Sequence, residues 1–313
     1  MFSFIVNRLI ATVPVMLVVA VFVFLLLRLT PGDPAAILAG DAATPEQVRA
    51  IRLALGLEEP IHIQFVTWMG QILTGNLGTS IISKLPVIDL IGQRVYATLS
   101  LASTTIVFSV LVAVPLGVVA AWFHDTLVDR LVMVFAVLGF SVPVFVLGYA
   151  YIYQFAIVWK LLPVQGYMAI DRGLWPWLER LILPTATLSV IYIALIARIT
   201  RASMLEILTE DYVRTARAKG LPERVVLVRH ALRNAAVPIV TVIGIGIALL
   251  ISGVVVTETV YNIPGLGRLT VDAVLARDYP TIQGLILVFA FVYVLINLMI
   301  DIAYTLLDPR IRY

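Results

Sequence analysis

Few residues in this sequence have the type and spacing that catalysis needs. Cysteine is absent, which excludes disulfides, thiolate metal sites and a cysteine nucleophile. Three scattered histidines, His62, His124 and His230, cannot pair at helical spacing for zinc, and neither a His-Glu-x-x-His motif nor a Gly-x-Ser-x-Gly elbow occurs. No Gly-Lys pair exists for a phosphate-binding loop. We therefore expect that the chain is not an enzyme and that another chain hydrolyses any ATP that drives it.

One polar stretch in the second half of the chain is the most informative. Thr209 suits a helix N-cap, and Glu210 and Asp211 then fall in the first turn, where the helix dipole favours acids. Arg217 and Lys219 fall in the last turn, where the dipole favours cations. The pattern predicts a surface helix of roughly three turns.

A sharp stop follows this predicted helix. Gly220 can adopt the left-handed conformation beyond a helix end, and Pro222 prevents continuation. The next helix is expected to begin near Pro222 and to carry the basic residues Arg224, Arg229, His230 and Arg233.

A loop that is basic only to set membrane topology would not need this pattern of a helix, a glycine, a proline and a second helix. A DNA-binding helix-turn-helix would need a third helix, for which residues 199–236 leave no room, so we expect no nucleic-acid partner.

The elements that must position this stretch are membrane spans. Of 313 residues, 61% are hydrophobic and 13% are charged, whereas soluble domains have about 45–50% apolar and about 25% charged residues. Six stretches qualify, or nearly so, for the roughly 20 apolar residues that a transmembrane helix needs. They are Leu9–Leu27, Thr98–Trp122, Leu131–Trp159, Leu181–Ile199, Val237–Thr257 and Ile282–Leu307. The sequence predicts an all-α polytopic membrane protein with six transmembrane helices. The third is long and contains Pro143, which predicts a kink or a tilt.

The basic residues orient these spans. With the N-terminus in the cytoplasm, the cytoplasmic segments hold twelve Lys or Arg, eight of them between Arg198 and Arg233, and the outer segments hold nine. The outer segments also hold eleven acidic residues. The positive-inside rule thus predicts that both termini are cytoplasmic. It accounts for the net charge of +3 without a nucleic-acid partner.

The predicted outer segment between the first two spans, Thr30–Ala97, has its own helical pattern. Thr44 is a candidate N-cap with Pro45 at the first helical position, and Gly56 is a candidate stop after Leu55. A second helix is expected from Pro60 to about Leu73, followed by a turn at Gly75-Asn76-Leu77-Gly78. This segment suits a cap over an outer cavity or a docking platform.

Small and polar residues interrupt the third and fifth spans. Candidates for lining a solute path are Ser141, Pro143, Tyr149, Gln154, Gly244 and Ser252. The alternative for the small residues is close helix packing, and for the tyrosines a position in the aromatic belt at the membrane interface.

A series of short motifs runs along the chain in a fixed order relative to the spans. They are Pro31-Gly32-Asp33-Pro34, Gly75-Asn76-Leu77-Gly78-Thr79-Ser80, Pro115-Leu116-Gly117, Ile182-Leu183-Pro184, Tyr212-Val213-Arg214-Thr215-Ala216-Arg217-Ala218-Lys219-Gly220, Arg229-His230-Ala231-Leu232-Arg233-Asn234 and Asp308-Pro309-Arg310. Together, and over essentially the whole chain, they resemble the permease subunits of bacterial ABC importers of the dipeptide and oligopeptide class, which also includes glutathione and nickel importers.

This resemblance implies the type I ABC importer permease architecture. Residues 1–30 would be an N-terminal transmembrane helix, 31–97 an extracytoplasmic segment, and 98–313 a permease core with five transmembrane helices and a cytoplasmic coupling loop at 200–236. The chain would form half of a path for di- or oligopeptides or similar solutes in the bacterial inner membrane. Implied partners are a second homologous permease, two ATPase subunits that bind ATP and Mg²⁺, an extracytoplasmic substrate-binding protein and membrane lipids, with no cofactor in this chain.

The resemblance also assigns a role to the predicted surface helix. ABC permeases present a cytoplasmic EAA motif to the ATPase, and Arg214, Thr215 and Ala216 stand where that motif has Glu-Ala-Ala, with Gly220 matching its glycine. The residues implied in ATPase coupling are Glu210, Asp211, Tyr212, Arg214, Thr215, Ala216, Arg217, Lys219 and Gly220. The alternative is a self-sufficient secondary transporter or channel, which would call for ionisable residues in the middle of the spans. The sequence places essentially none there, and it does not give the solute.

Overall fold

The computed structural model describes residues 2–29, 34–39, 43–54 and 56–307. Over these ranges the chain is helical apart from its loops, with an isolated antiparallel bridge between Thr79 and Pro86 and no strand. The all-α prediction is therefore confirmed. The motif residues Pro31-Gly32-Asp33 and Asp308-Pro309-Arg310 lie outside the described residues.

The helices of the described ranges follow one another closely along the chain. They are α1 (Phe2–Leu29), α2 (Pro34–Ala39), α3 (Pro45–Ala54), α4 (Ile61–Leu73), α5 (Val87–Trp122), α6 (Leu127–Ser141), α7 (Val144–Tyr151), α8 (Leu174–Leu208), α9 (Asp211–Ala218), α10 (Glu223–Val225), α11 (Ala236–Val260), α12 (Leu266–Leu275) and α13 (Tyr279–Leu307). Two segments continue α7 and α10 as π-helix, Ile152–Val158 and Val226–Leu232.

Four helices in the described part of the chain are long and apolar enough to cross a membrane, namely α1, α5, α8 and α13. The number rises to six if each of two bent pairs is one span. The first pair, α6 with α7 and its π-helical continuation, bends by 102°. The second, from Glu223 to Leu250, bends by 64°. The upper number agrees with the six predicted spans.

The bend in the third predicted span is larger than a kink. Helix α6 ends at Ser141, Val142 is extended, and Pro143 caps the N-terminus of α7. Proline disfavours the helical conformation in the residue before it, and here Val142 is extended, so α6 ends before Pro143 and α7 begins after it. The sequence located this break correctly but could not give its angle.

One compact unit of the fold comprises residues Met1–Arg94 and Leu269–Val294. Helices α3 and α4 form close to where the sequence predicted them, whereas α2 was not predicted. Thr44 and Gln47 cap α3 reciprocally, with Gln47 N–H donating to Thr44 Oγ1 at 3.3 Å and Thr44 N–H donating to Gln47 Oε1 at 2.9 Å. Gly56, beyond the end of α3, has a φ of +64°.

The second unit comprises Val95–Arg268 and Leu295–Tyr313, and α8 is its central helix. Helix α8 packs against α6, α7 and α11, and 61% of its most apolar stretch is buried, compared with 17% for α1 and 11% for α13. Pro184 lies inside α8 and is buried. The core of this unit is built on the α8 residues Leu181, Leu188, Tyr192, Ile193 and Ile196.

Glycines allow the close approach of helices in this second unit. A Cβ on Gly117 of α5 would lie 2.5 Å from Thr200 Cβ and 2.7 Å from the Ala197 carbonyl oxygen, both on α8. A Cβ on Gly139 of α6 would lie 3.1 Å from Ala194 Cβ. The helices cross where no side chain separates their backbones, which is a packing mode common in membranes.

Candidate functional site

Helix α9 is short and is buried on one side only. Val213 is fully buried and Ala216 is 6% exposed. These two side chains pack on Val226 of the following helix and on Ile207 and Leu208 at the end of α8. Since these partners belong to the helices on either side of α9 in the chain, the position of α9 is fixed by two membrane-associated helices at once.

The opposite face of α9 is exposed and carries both signs of charge. Eight of the nine residues predicted to couple to an ATPase are exposed, and these are Glu210, Asp211, Tyr212, Arg214, Thr215, Arg217, Lys219 and Gly220. The ninth, Ala216, belongs to the buried face. The structure thus brings the predicted residues together on one helix and separates Ala216 from the rest.

The start of α9 differs from the sequence prediction. Glu210 is its N-cap residue, whereas Thr209 closes α8, where its Oγ1 donates to the Glu206 carbonyl at 2.7 Å. Thr209 as the N-cap is therefore wrong. A threonine hydroxyl can donate to a carbonyl in the last turn of one helix, or its oxygen can accept from an N–H in the first turn of the next. Here the Thr209 hydroxyl donates to the last turn of α8. Helix α9 has eight residues, about two turns rather than three.

The end of α9 agrees with the prediction. Gly220 has a φ of +76°, and its N–H donates to the Arg217 carbonyl at 2.9 Å. Arg217 then reaches Glu223 at the start of α10, with Nη2 2.8 Å from Glu223 Oε1. The glycine turn and this ion pair together set the angle between α9 and the helix that leads into α11.

Tyr212 is the aromatic group of the exposed face and is 41% exposed. Partial burial and the nearby Glu210 carboxylate raise the pKa of the Tyr212 phenol above its ordinary value, while a hydrogen bond with the Asn234 side chain lowers it. The net shift is upward, so the phenol is neutral at physiological pH. It can donate or accept a hydrogen bond at the surface of α9.

Asp129 and Arg201 form an ion pair that the sequence did not reveal. Arg201 donates from Nε to Asp129 Oδ1 at 2.5 Å and from Nη2 to Asp129 Oδ2 at 2.7 Å. The backbone N–H of Asp125 also donates to Asp129 Oδ2, at 3.1 Å. The pair joins the first turn of α6 to α8. Its partners are 72 positions apart, so no local pattern could have indicated it.

His124, Asp125 and Asp129 are near enough to one another to hold a metal ion, since one ligand atom from each lies within 4.8 Å of the others. Arg201 already neutralises Asp129, and its Nη2 lies 3.1 Å from His124 Nδ1. A cation would have to displace this guanidinium, so these residues do not suit a metal site.

Glu258, near the end of α11, is completely buried. Thr98 Oγ1 donates to its Oε1 at 2.6 Å, and the Arg268 N–H donates to its Oε2 at 3.0 Å. Gly265 passes so close that any side chain there would overlap the carboxylate. Glu258 therefore holds the first turn of α12 and the end of α11 against α5 at Thr98, a role that sequence analysis missed.

The residues predicted to line a path have different surroundings. Ser141 is exposed and donates to the Val137 carbonyl of its own helix at 2.9 Å, Pro143 and Tyr149 are exposed, and Gln154 is half-buried. Gly244 faces α13, where an added Cβ would lie 2.5 Å from Ile300 Cδ1. The side chain of Ser252 lies outside the described residues. The assignment of these residues to a path stays a prediction.

The family models that match this chain and its similar proteins all describe membrane components of transport systems. The model for "Binding-protein-dependent transport system inner membrane component" matches residues 113–313, and "Binding-prot-dependent transport system membrane comp, N-term" matches residues 1–102. A probable peptide ABC transporter permease protein of Sinorhizobium fredii is 56% identical over 310 residues, which cover 99% of each chain. The glutathione transport system permease protein GsiC of Salmonella paratyphi A is 41% identical over 313 residues, the full length of both.

A solved structure has a similar fold at low sequence identity. It shows inward facing conformations of the MetNI methionine ABC transporter. The matched chain superposes with a TM-score of 0.57 at 18% identity, over 71% of this chain and 97% of that chain. This likeness concerns the fold alone.

Proposed function

The chain belongs to the family of binding-protein-dependent transport system inner membrane components, and from that premise we propose that it imports peptides or peptide-like solutes. It is a permease subunit of an ABC importer. The substrate class is supported by relatives that are named for peptide and for glutathione transport. Glutathione is itself a tripeptide, so both names describe short amide-linked solutes.

In this proposal the surface of α9 receives force from an ATPase subunit in the cytoplasm. The observation that supports this proposal is that α9 is buried on one side only. Its inner face is fixed by Val213 and Ala216 on two neighbouring helices, and its outer face presents exposed polar side chains together with Tyr212 and Ala218. A helix held in this way moves as a unit with α8 and with the helix that leads into α11. A push on its outer face therefore reaches both.

The rest of the system follows from the family and from the charge distribution. We place both termini and the loop that contains α9 in the cytoplasm, because that loop carries eight of the basic residues. A second permease completes the solute path, two ATPase subunits bind and hydrolyse ATP with Mg²⁺, and an extracytoplasmic binding protein delivers the solute. Closure of the ATPases moves α9 and switches the path between inward and outward access.

Charge reversal at Arg214 tests the coupling role. Arg214 is exposed, so Arg214→Glu leaves the buried face of α9 intact, whereas a bulky residue at Ala216 would disturb packing. We expect ATP-dependent uptake of tri-alanine and glutathione by the assembled transporter in liposomes to fall about tenfold or more, which matches the loss of one hydrogen bond to a charged group, about 1.5–3 kcal/mol. Membrane insertion is measured in parallel and should not change.

The matched control is Arg172→Glu, which makes the same charge change at an exposed residue of the Ile170–Arg172 turn, outside α9. It should leave uptake unchanged. Wild-type uptake in the Arg214→Glu variant would disprove the coupling role of this face. Gradient-driven flux through the permease without ATPases would instead favour a self-sufficient transporter.

A further inference from the structure

Helix α4 has two apolar faces, and only one of them is used for packing within the chain. The first face consists of Phe65, Trp68, Met69 and Ile72. Trp68, Met69 and Ile72 pack against α1 and the first turns of α13, around Ala20, Val23 and Leu287. Phe65 and Trp68 also contact Phe24 of α1, with ring centroids 5.2 Å and 5.5 Å away. This face fixes α4 to two membrane-spanning helices.

The second apolar face points away from these contacts. Val66 is 69% exposed and Leu73 is 79% exposed, and they lie one above the other at a spacing of seven residues. Ile63 adds to the same side and is 42% exposed. Side chains this large and apolar would normally be covered, and none of the described helices covers them.

The remaining face of α4 is polar but uncharged. It carries Gln64, Thr67 and Gln71, which are separated by three and four residues and so share one side. No Asp, Glu, Lys or Arg occurs anywhere in α4. A helix with an exposed apolar face beside a polar face suits the boundary between acyl chains and headgroups. The one titratable side chain of α4, the exposed His62, lies in its first turn.

The depth of α4 supports the same position. Its packing partner Val23 lies four residues inside the predicted outer end of the first span, Leu27, which is about 6 Å of helix. Its partner Ile286 lies four residues inside the predicted end of the last span, Ile282, again about 6 Å. Interfacial helices bury their apolar face roughly 5–10 Å into this boundary. With 13 residues, α4 is too short to cross the membrane itself.

Helix α1, on which α4 packs, also has an exposed apolar surface. On α1, Val13, Val18 and Phe22 are each more than 60% exposed, in a span whose apolar length requires a bilayer around it. We propose that α4 is an interfacial helix whose Val66, Leu73 and Ile63 side chains insert among lipid acyl chains beside α1. This inference needs only the membrane insertion of α1 and α13 and does not rest on the solute or on the coupling role of α9.

The absence of cysteine makes the test direct, because each introduced cysteine is the only thiol of the chain. Val66→Cys and Leu73→Cys are spin-labelled, and the matched controls Thr67→Cys and Gln71→Cys place the label on the polar face of the same helix, where both residues are exposed. The labelled permease is assembled with its partner subunits in liposomes of phosphatidylethanolamine and phosphatidylglycerol. Collision of each label with oxygen, which dissolves in the acyl region, is compared with collision with a water-soluble nickel chelate.

At positions 66 and 73, we expect the collision rate of the label with oxygen to exceed its collision rate with the nickel chelate by several-fold. At positions 67 and 71, we expect the nickel chelate to collide with the label more often than oxygen does. A higher accessibility to nickel at 66 and 73 would show that water covers this face and would overturn the proposal. Immobilised labels that neither reagent reaches would show that a protein surface, such as the second permease, covers it, and would also overturn the proposal.

Discussion

Two arginine–carboxylate pairs in this protein differ in how far water reaches them. Arg201 holds Asp129 through two hydrogen bonds, and the Asp129 side chain is only 4% exposed. Arg217 holds Glu223, and these side chains are 41% and 33% exposed. A buried pair costs far more to break than an exposed one, because the remaining charge stays without a partner in a poorly solvated site.

The buried pair is expected to matter for stability. Asp129→Asn removes the charge that faces Arg201, and we expect it to lower the free energy of unfolding by about 3 kcal/mol. Glu223→Gln is the matched control at the exposed pair, with an expected cost below about 1 kcal/mol. The thermal midpoints of the two purified variants in detergent measure the difference. Equal shifts in the two variants would mean that the Asp129–Arg201 pair is not insulated from water.

At the scale of elements, the sequence predicted where helices end better than it predicted which helices pack together. The capping of α3 by Thr44 and the stop at Gly220 depend on residues within one turn of each other, so the sequence alone indicates them. The Thr209 cap failed because the same hydroxyl also suits the helix before it. Pro143 marked a break, but the angle after it depends on contacts with other helices.

The stop at Gly220 gives a prediction about conformation rather than packing. A Cβ added there would meet nothing within 4 Å, but the φ of +76° is unfavourable for any other residue. We therefore expect Gly220→Ala to cost about 1–2 kcal/mol. It should speed amide hydrogen exchange in α9, measured by mass spectrometry.

Gly70→Ala is the control, since Gly70 also has open space around it but lies inside α4 with an ordinary helical φ. That substitution should slow exchange in α4, because alanine favours a helix interior by roughly 0.5–1 kcal/mol. If both substitutions protect their helices, left-handed strain at position 220 is not what ends α9.

At the scale of the whole molecule, apolar length predicted how often the chain crosses the membrane but not how the crossings pack. Gly139 and Gly244 could equally have lined a path or allowed close contact, because a glycine in an apolar run has the same sequence signature in either case. The structure packs Gly139 against α8 and Gly244 against Ile300 of α13. Such contacts depend on residues far apart in the chain, which no local pattern encodes.

The crossing of α5 and α8 is the most demanding of these contacts. Gly117→Ala would place a methyl group 2.7 Å from the Ala197 carbonyl oxygen, a backbone atom that cannot move aside without shifting α8. We expect a cost of about 1–3 kcal/mol, seen as a lower thermal midpoint. Gly92→Ala lies on the same helix and would meet nothing within 4 Å, so it should be neutral or stabilising. Comparable loss in both variants would contradict the close crossing.

The unequal burial of the membrane helices has a consequence for how the sequence can diverge. In α8, where 61% of the most apolar stretch is buried, each side chain must match the volume and shape of its neighbours. In α1 and α13, with 17% and 11%, most side chains are not enclosed by this chain, so exchanges among leucine, valine, isoleucine and phenylalanine should cost little packing energy within it. We therefore expect tighter constraints on substitution in α8 than in α1 and α13.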